Sequence, residues 1–122
     1  DMTNRDDVDR LAASALEAMG PVDILVNNAG SNVPQSVDEI TDDKWDQILE
    51  LNLTSCMRLT RAIVPQMKAR NWGRIIHISS VMGLTSKPGR SSYSATKAAL
   101  IGMARAMALD LGAFGITVNC IA

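Results

Sequence analysis

The sequence is poor in aromatic side chains, with one phenylalanine, one tyrosine and two tryptophans in 122 residues. So few rings argue against a base-stacking platform for single-stranded nucleic acid. A surplus of either charge is also lacking. The formal net charge is −1 and basic residues are interspersed with acidic ones, so no basic stripe marks a nucleic-acid partner. The two cysteines, Cys56 and Cys120, lie in apolar stretches without metal-ligand spacing. They read as buried free thiols of a reducing compartment. No apolar run approaches the ~18 residues of a membrane span, and no secretory signal pattern opens the chain. The expected setting is the cytoplasm, with no membrane partner. Repeats, low-complexity tracts and domain linkers are missing as well. The chain starts at Asp1 and stops inside "ITVNCIA", which reads as a strand, so an excerpt of a longer protein is expected.

What is present suits a packed domain: 47% of the residues are hydrophobic and 20% charged. A chain of this length buries roughly two-thirds of its unfolded surface. From Thr3 onward, Val8, Leu11, Ala12, Ala15, Leu16 and Met19 recur at helical spacing. Thr3 or Asn4 can cap that helix, and Gly20–Pro21 stops it. "VDILVNN" reads as a strand buried on both faces, and "AGSNVPQS" as a loop. A long helix is expected from about Thr41 to Ala69, with Asp42 and Asp43 at its positive end and Pro65 bending or ending it. "WGRIIHISS" reads as a second strand and "VMGLTSKPGR" as a second loop. A third helix is expected from about Ser92 to Leu111, then a strand in "GITVNCIA". This alternation predicts an α/β fold, a parallel sheet covered by helices on both faces. Ligands of such sheets sit beyond the carboxyl ends of the strands, where "NNAG" and "SS" fall.

The only tyrosine, Tyr93, stands one helical turn before Lys97. An isolated phenol is a poor base at neutral pH, but a neighbouring ammonium favours the phenolate. Such a pair can act as a general acid/base. A tyrosine and a lysine at this spacing also occur on many exposed helices, so the setting matters. Here the helix follows a loop at the ligand rim, and Ser80 ends the preceding strand, where its hydroxyl can bond a substrate oxygen or simply cap the strand. His77, the single histidine, sits inside "RIIHISS" and reads as structural.

Taken together, "NNAG" (Asn27–Gly30), Asn52 in the long helix, "GRIIHISS" ending at Ser80, "YSATK" (Tyr93–Lys97) and "GITVN" (Gly115–Asn119) resemble the short-chain dehydrogenase/reductases over essentially the whole chain. The resemblance implies a Rossmann-like, doubly wound parallel sheet, with residues 1–122 as the central and catalytic part of one dinucleotide-binding domain. It implies an NAD- or NADP-dependent oxidoreductase interconverting a secondary alcohol and a ketone. Tyr93 is then the proton donor or acceptor, Lys97 its electrostatic partner and a ligand of the nicotinamide ribose, and Ser80 the group that orients the substrate oxygen. Asn52 is then the holder of a relay water beside Lys97. Asn28, Ala29 and Gly30 are expected to meet the cofactor, with Asn27 tying strands together. Asp1 and Met2 occupy the positions beside the adenine.

The family's phosphate-binding glycine loop, its first βαβ unit, the residue that selects NAD over NADP, and the final strand are not in this sequence. The isolated segment is therefore expected to be inactive, with an open sheet edge. Ser94 and Lys97 also form the Ser-x-x-Lys of serine acyl-enzymes, but the accompanying Ser-Asp-Asn and Lys-Thr-Gly strings do not occur. A non-catalytic family member used for binding or assembly is the other rival, and the complete Asn52, Ser80, Tyr93, Lys97 set weighs against it. Ser31, Asn32, Val81, Met82 and Arg90 are expected at the pocket entrance. The general likeness leans to sugar or polyol dehydrogenases of the gluconate and glucose type, with 3-oxoacyl-carrier-protein reductases as the alternative. Helices carrying Asn52 and Tyr93 pair between subunits in this family. The small residues Ala98, Gly102 and Ala106, with Met103 and Met107, suit such packing in a homodimer or homotetramer.

Overall fold

A computed structural model describes all residues, 1–122. Three parallel strands, β1 (Ile24–Asn27), β2 (Gly73–Ile78) and β3 (Ile116–Ile121), lie in the order β1-β2-β3. Helix α1 (Arg5–Met19) precedes β1, α2 (Asp42–Leu49) and α3 (Ser55–Arg70) lead from β1 to β2, and α4 (Ser91–Leu111) joins β2 to β3.

Helices α1 and α2 begin at side-chain caps. Asn4 Oδ1 accepts the N–H groups of Asp6 and Asp7, so asparagine rather than Thr3 caps α1. Thr41 caps α2, and Asp42 and Asp43 complement its dipole. Asn71, left-handed at φ 53°, ends α3.

The expected long helix is continuous from Asp42 to Arg70 but changes pitch in the middle. Glu50–Thr54 form a π-helical turn, closed by the Ser55 N–H donating to the Glu50 carbonyl. The extra residue in that turn is accommodated by side chains: Ser55 Oγ donates to Leu51 O at 2.6 Å and Cys56 Sγ to Asn52 O at 3.5 Å. Such bulges re-aim a side chain and often mark a functional position. Asn52 sits on this one, fully buried. Pro65, expected to bend or end the helix, lies inside α3. It and Arg61 one turn earlier are exposed, so the carbonyl that loses its N–H partner lies on the solvent side.

The core is one cluster. Val8 and Ala12 of α1, Leu59, Ile63 and Met67 of α3, and Ala104 and Leu111 of α4 close over Ile75, Ile116 and Val118 of the sheet. Burying each large aliphatic side chain is worth about 1.5–3 kcal/mol.

All these helices cover the same sheet face. The alternate residues, Ile24, Val26 and Ile121, are 55, 50 and 56% exposed. The expectation of strands buried on both faces therefore holds for one face of this segment only. The near-continuous apolar runs belong to strands whose second face is not covered by any helix of residues 1–122.

Candidate active site

The carboxyl ends of the strands carry the site. In parallel register Asn27 lies beside His77, and His77 beside Cys120, all on the helix-covered face. The Asn27 amide donates to Thr60 Oγ1 of α3 at 3.2 Å and meets His77 Nδ1 at 3.1 Å. Asn27 thus ties β1 to β2 and to α3, as its place in the motif implied. His77 is completely buried, and burial pushes its pKa below the usual histidine value. It is part of the scaffold under the site.

Immediately after Asn27 the chain turns out at Asn28, Ala29 and Gly30, all exposed. Gly30 passes so close to Asn52 and Lys97 that a Cβ there meets Asn52 Oδ1 at 3.2 Å and Lys97 Nζ at 3.4 Å. The next residue is clasped from both sides. The Ser31 N–H donates to Asn52 Oδ1 at 2.8 Å, and Asn52 Nδ2 donates to Ser31 O at 2.9 Å. Asn52 Nδ2 gives its other proton to Thr96 Oγ1 at 3.1 Å. With both N–H groups committed, a water at Asn52 is left the second lone pair of Oδ1 or the main-chain carbonyl.

Tyr93 and Lys97 stand on the first turns of α4, and Lys97 Nζ lies 5.6 Å from the Tyr93 ring centroid. Lys97 is only 4% exposed, and its Nζ donates to the Ile78 carbonyl at the end of β2 at 2.7 Å. An ammonium has three donors, so two remain free. Ser79 donates to the Lys97 carbonyl at 2.8 Å, joining strand end to helix. Ser80 is half-buried and opens the turn Val81–Gly83, where its Oγ accepts the Met82 N–H at 3.1 Å. That bond uses a lone pair and leaves the hydroxyl proton free to reach a ligand. Gly83 presses its backbone onto α4, and a Cβ there falls 2.8 Å from Lys97 C.

Tyr93, Lys97, Asn28, Gly30, Ser31 and Asn32 line one cavity of about 230 Å³. Met2, Asn28 and Ala29 line a second of about 180 Å³, so Asn28 borders both. Of the residues read from the sequence as cofactor contacts, Met2, Asn28, Ala29, Gly30, Tyr93 and Lys97 line these two neighbouring cavities. The Asp1 carboxylate caps the next turn, accepting from Thr3 N–H at 2.8 Å and Thr3 Oγ1 at 2.9 Å through the same Oδ1. Larger concavities lie away from this chemistry, one of about 670 Å³ between α3 and α4. Sequence reading passed over Thr96 and Ser79. The signal for Thr96 was its place three residues after Tyr93, on the same helical face.

The whole chain, residues 1–122, matches the family model described as short chain dehydrogenase. A nodulation protein G from Rhizobium sp. (strain N33) is 44% identical, over 99% of this chain and 49% of that protein. A 3-oxoacyl-[acyl-carrier-protein] reductase of Haemophilus influenzae is 37% identical over 99% of the chain and 50% of its own length. The D-beta-hydroxybutyrate dehydrogenase of Rhizobium meliloti is also 37% identical, over 99% of the chain and 47% of its own length. The crystal structure of a short-chain dehydrogenase from Streptomyces avermitilis superposes with a TM-score of 0.94 at 41% identity, covering 98% of this chain and 44% of that one. The chain spans about half the length of the curated relatives it matches. Its three-stranded parallel sheet and helices are those of a Rossmann-like α/β fold, and the chain belongs to the short-chain dehydrogenase family.

Proposed function

We propose that residues 1–122 are the central, catalytic part of a dinucleotide-binding domain that interconverts a secondary alcohol and a ketone with NAD or NADP. The observation that carries this reading is the convergence of Tyr93 and Lys97 with Asn28 and Gly30 on one cavity at the strand ends. A bound nicotinamide supplies or accepts the hydride. The chain's own groups handle the proton and the geometry. Tyr93 gives its phenolic proton to the carbonyl oxygen during reduction and takes it back during oxidation. Lys97, held by Ile78, presents its remaining N–H groups to the cofactor ribose and its charge to Tyr93. Ser80 directs its free hydroxyl proton at the same substrate oxygen. Ala29 and Gly30 let the cofactor approach the backbone closely, and Asn28 and Met2 contact it.

For the substrate, a 3-oxoacyl or 3-hydroxyacyl compound is favoured over a sugar or polyol. Val81 and Leu84, which flank the turn that Ser80 opens, are 54% and 67% exposed. A hydrocarbon chain covers such side chains, whereas a polyol leaves them wet. Relatives named as 3-oxoacyl reductases and hydroxybutyrate dehydrogenases support the same class. The exposed stripe of Ala98, Gly102 and Ala106 on α4 supports helix pairing between subunits.

The test is a panel of 3-oxoacyl thioesters and sugar ketones, each mixed with the full-length protein and NADH or NADPH. Oxidation of reduced nicotinamide by the thioesters alone is the expected result. Turnover only with sugar ketones restores the polyol reading, and nicotinamide binding without turnover by any partner favours a binding protein.

A further inference from the structure

We infer that Thr96 is a positioning residue, whose hydroxyl couples the Tyr93 turn of α4 to Asn52 and so fixes the Gly30–Asn32 loop against the catalytic cavity. This rests on the oxidoreductase reading above and adds to it a residue that touches neither substrate nor cofactor. Thr96 is 1% exposed. Its Oγ1 donates to the Tyr93 carbonyl at 2.8 Å and accepts from Asn52 Nδ2 at 3.1 Å. One hydroxyl therefore bonds both the turn that carries Tyr93 and the amide that clasps Ser31.

The geometry gives this hydroxyl leverage. Asn52 projects from a π-helical turn, where the regular helical spacing that ordinarily fixes a side chain's direction is interrupted. Its amide is aimed by three bonds, two to the Ser31 backbone and one to Thr96. The loop bonds orient Asn52 only if the loop itself is fixed. Thr96, on α4 between Tyr93 and Lys97, is the partner anchored in regular structure. The loop that Asn52 holds is packed closely at Gly30, within 3.4 Å of Lys97 Nζ for any added Cβ. A small displacement of the clasp therefore alters the wall of the cavity that Tyr93 and Lys97 share.

Without the hydroxyl, a buried amide N–H of Asn52 has no partner, and the clasp on Ser31 loses its one bond to regular structure, which loosens it. Valine keeps the shape of threonine and removes the hydroxyl, whereas serine keeps the hydroxyl and removes the methyl. The experiment compares Thr96→Val and Thr96→Ser in the full-length protein by two readouts. The first is amide hydrogen exchange at Ser31, whose N–H donates to Asn52 and which needs no turnover to be read. The second is kcat and the nicotinamide KM.

Thr96→Val should speed Ser31 exchange and lower kcat by about tenfold each, with KM changed by less than about twofold, and Thr96→Ser should restore both. Unchanged Ser31 exchange in the valine variant overturns the inference, as does a serine variant that behaves like valine. A wild type that shows no turnover, but whose Ser31 amide still responds to valine, keeps the clasp and retires the oxidoreductase reading. If the valine variant fails to fold, Thr96→Ala read against Thr96→Ser carries the same comparison.

Discussion

Lys97 places its ammonium 5.6 Å from the centre of the Tyr93 ring while donating to the Ile78 carbonyl at 2.7 Å. The strand end thus fixes where the positive charge sits relative to the phenol. The helix supplies the one-turn spacing of the two residues, and the bond to β2 orients the longer side chain.

Replacing Lys97 by methionine keeps the stem and removes the charge. Turnover should fall by about 10²–10³-fold and nicotinamide affinity should weaken too, if Lys97 serves both as proposed. Lys97→Met combined with Tyr93→Phe should cost little more than the worse single change, as for residues acting as a unit. Additive losses measured in that double-mutant cycle contradict the coupling.

His77 is expected to make the fold acid-sensitive. Burial lowers its folded-state pKa, so the unfolded chain takes up a proton at a pH where the folded protein does not. Stability is therefore full above the unfolded value of about 6.5 and falls as pH drops through and below it. Urea unfolding at pH 7.5 and 5.5 should show this decline in the wild type and a smaller one in His77→Asn. An equal decline in both shows that other groups carry the acid dependence.

Gly83 is expected to tolerate no side chain. Its Cβ position lies 2.8 Å from Lys97 C and 2.9 Å from Ala98 N, backbone atoms of a helix that cannot yield. Gly83→Ala should lose about 1–3 kcal/mol by thermal or urea unfolding, the usual cost of overpacking. Because the same turn carries Ser80, kcat should fall with it. Wild-type stability in Gly83→Ala would show that the turn stands off α4 in solution.

Much of this structure was legible because its signals are local. Apolar periodicity marked α1, and Tyr93 and Lys97 announced themselves by one-turn spacing on a helix that follows a loop. The π-helical turn was not legible, since nothing in "ELNLT" departs from an ordinary helix; the Ser55 and Cys56 side chains bond the carbonyls of Leu51 and Asn52 beside it. Asn52 itself was picked out, but not what its amide holds, because Ser31 and Thr96 lie 21 and 44 residues away. The bare sheet face was hidden for a different reason. Apolar strands such as "RIIHI" read as buried on both sides whether or not the covering helices lie in the same segment.

Tyr93 is the proposed proton donor, and Tyr93→Phe in the full-length protein tests that proposal most directly. Oxidation of reduced nicotinamide by a 3-oxoacyl thioester should drop by about 10²–10⁴-fold, while fluorescence titration shows nicotinamide bound as tightly as in the wild type. Retained turnover in the phenylalanine variant contradicts the assignment of Tyr93 as the proton donor.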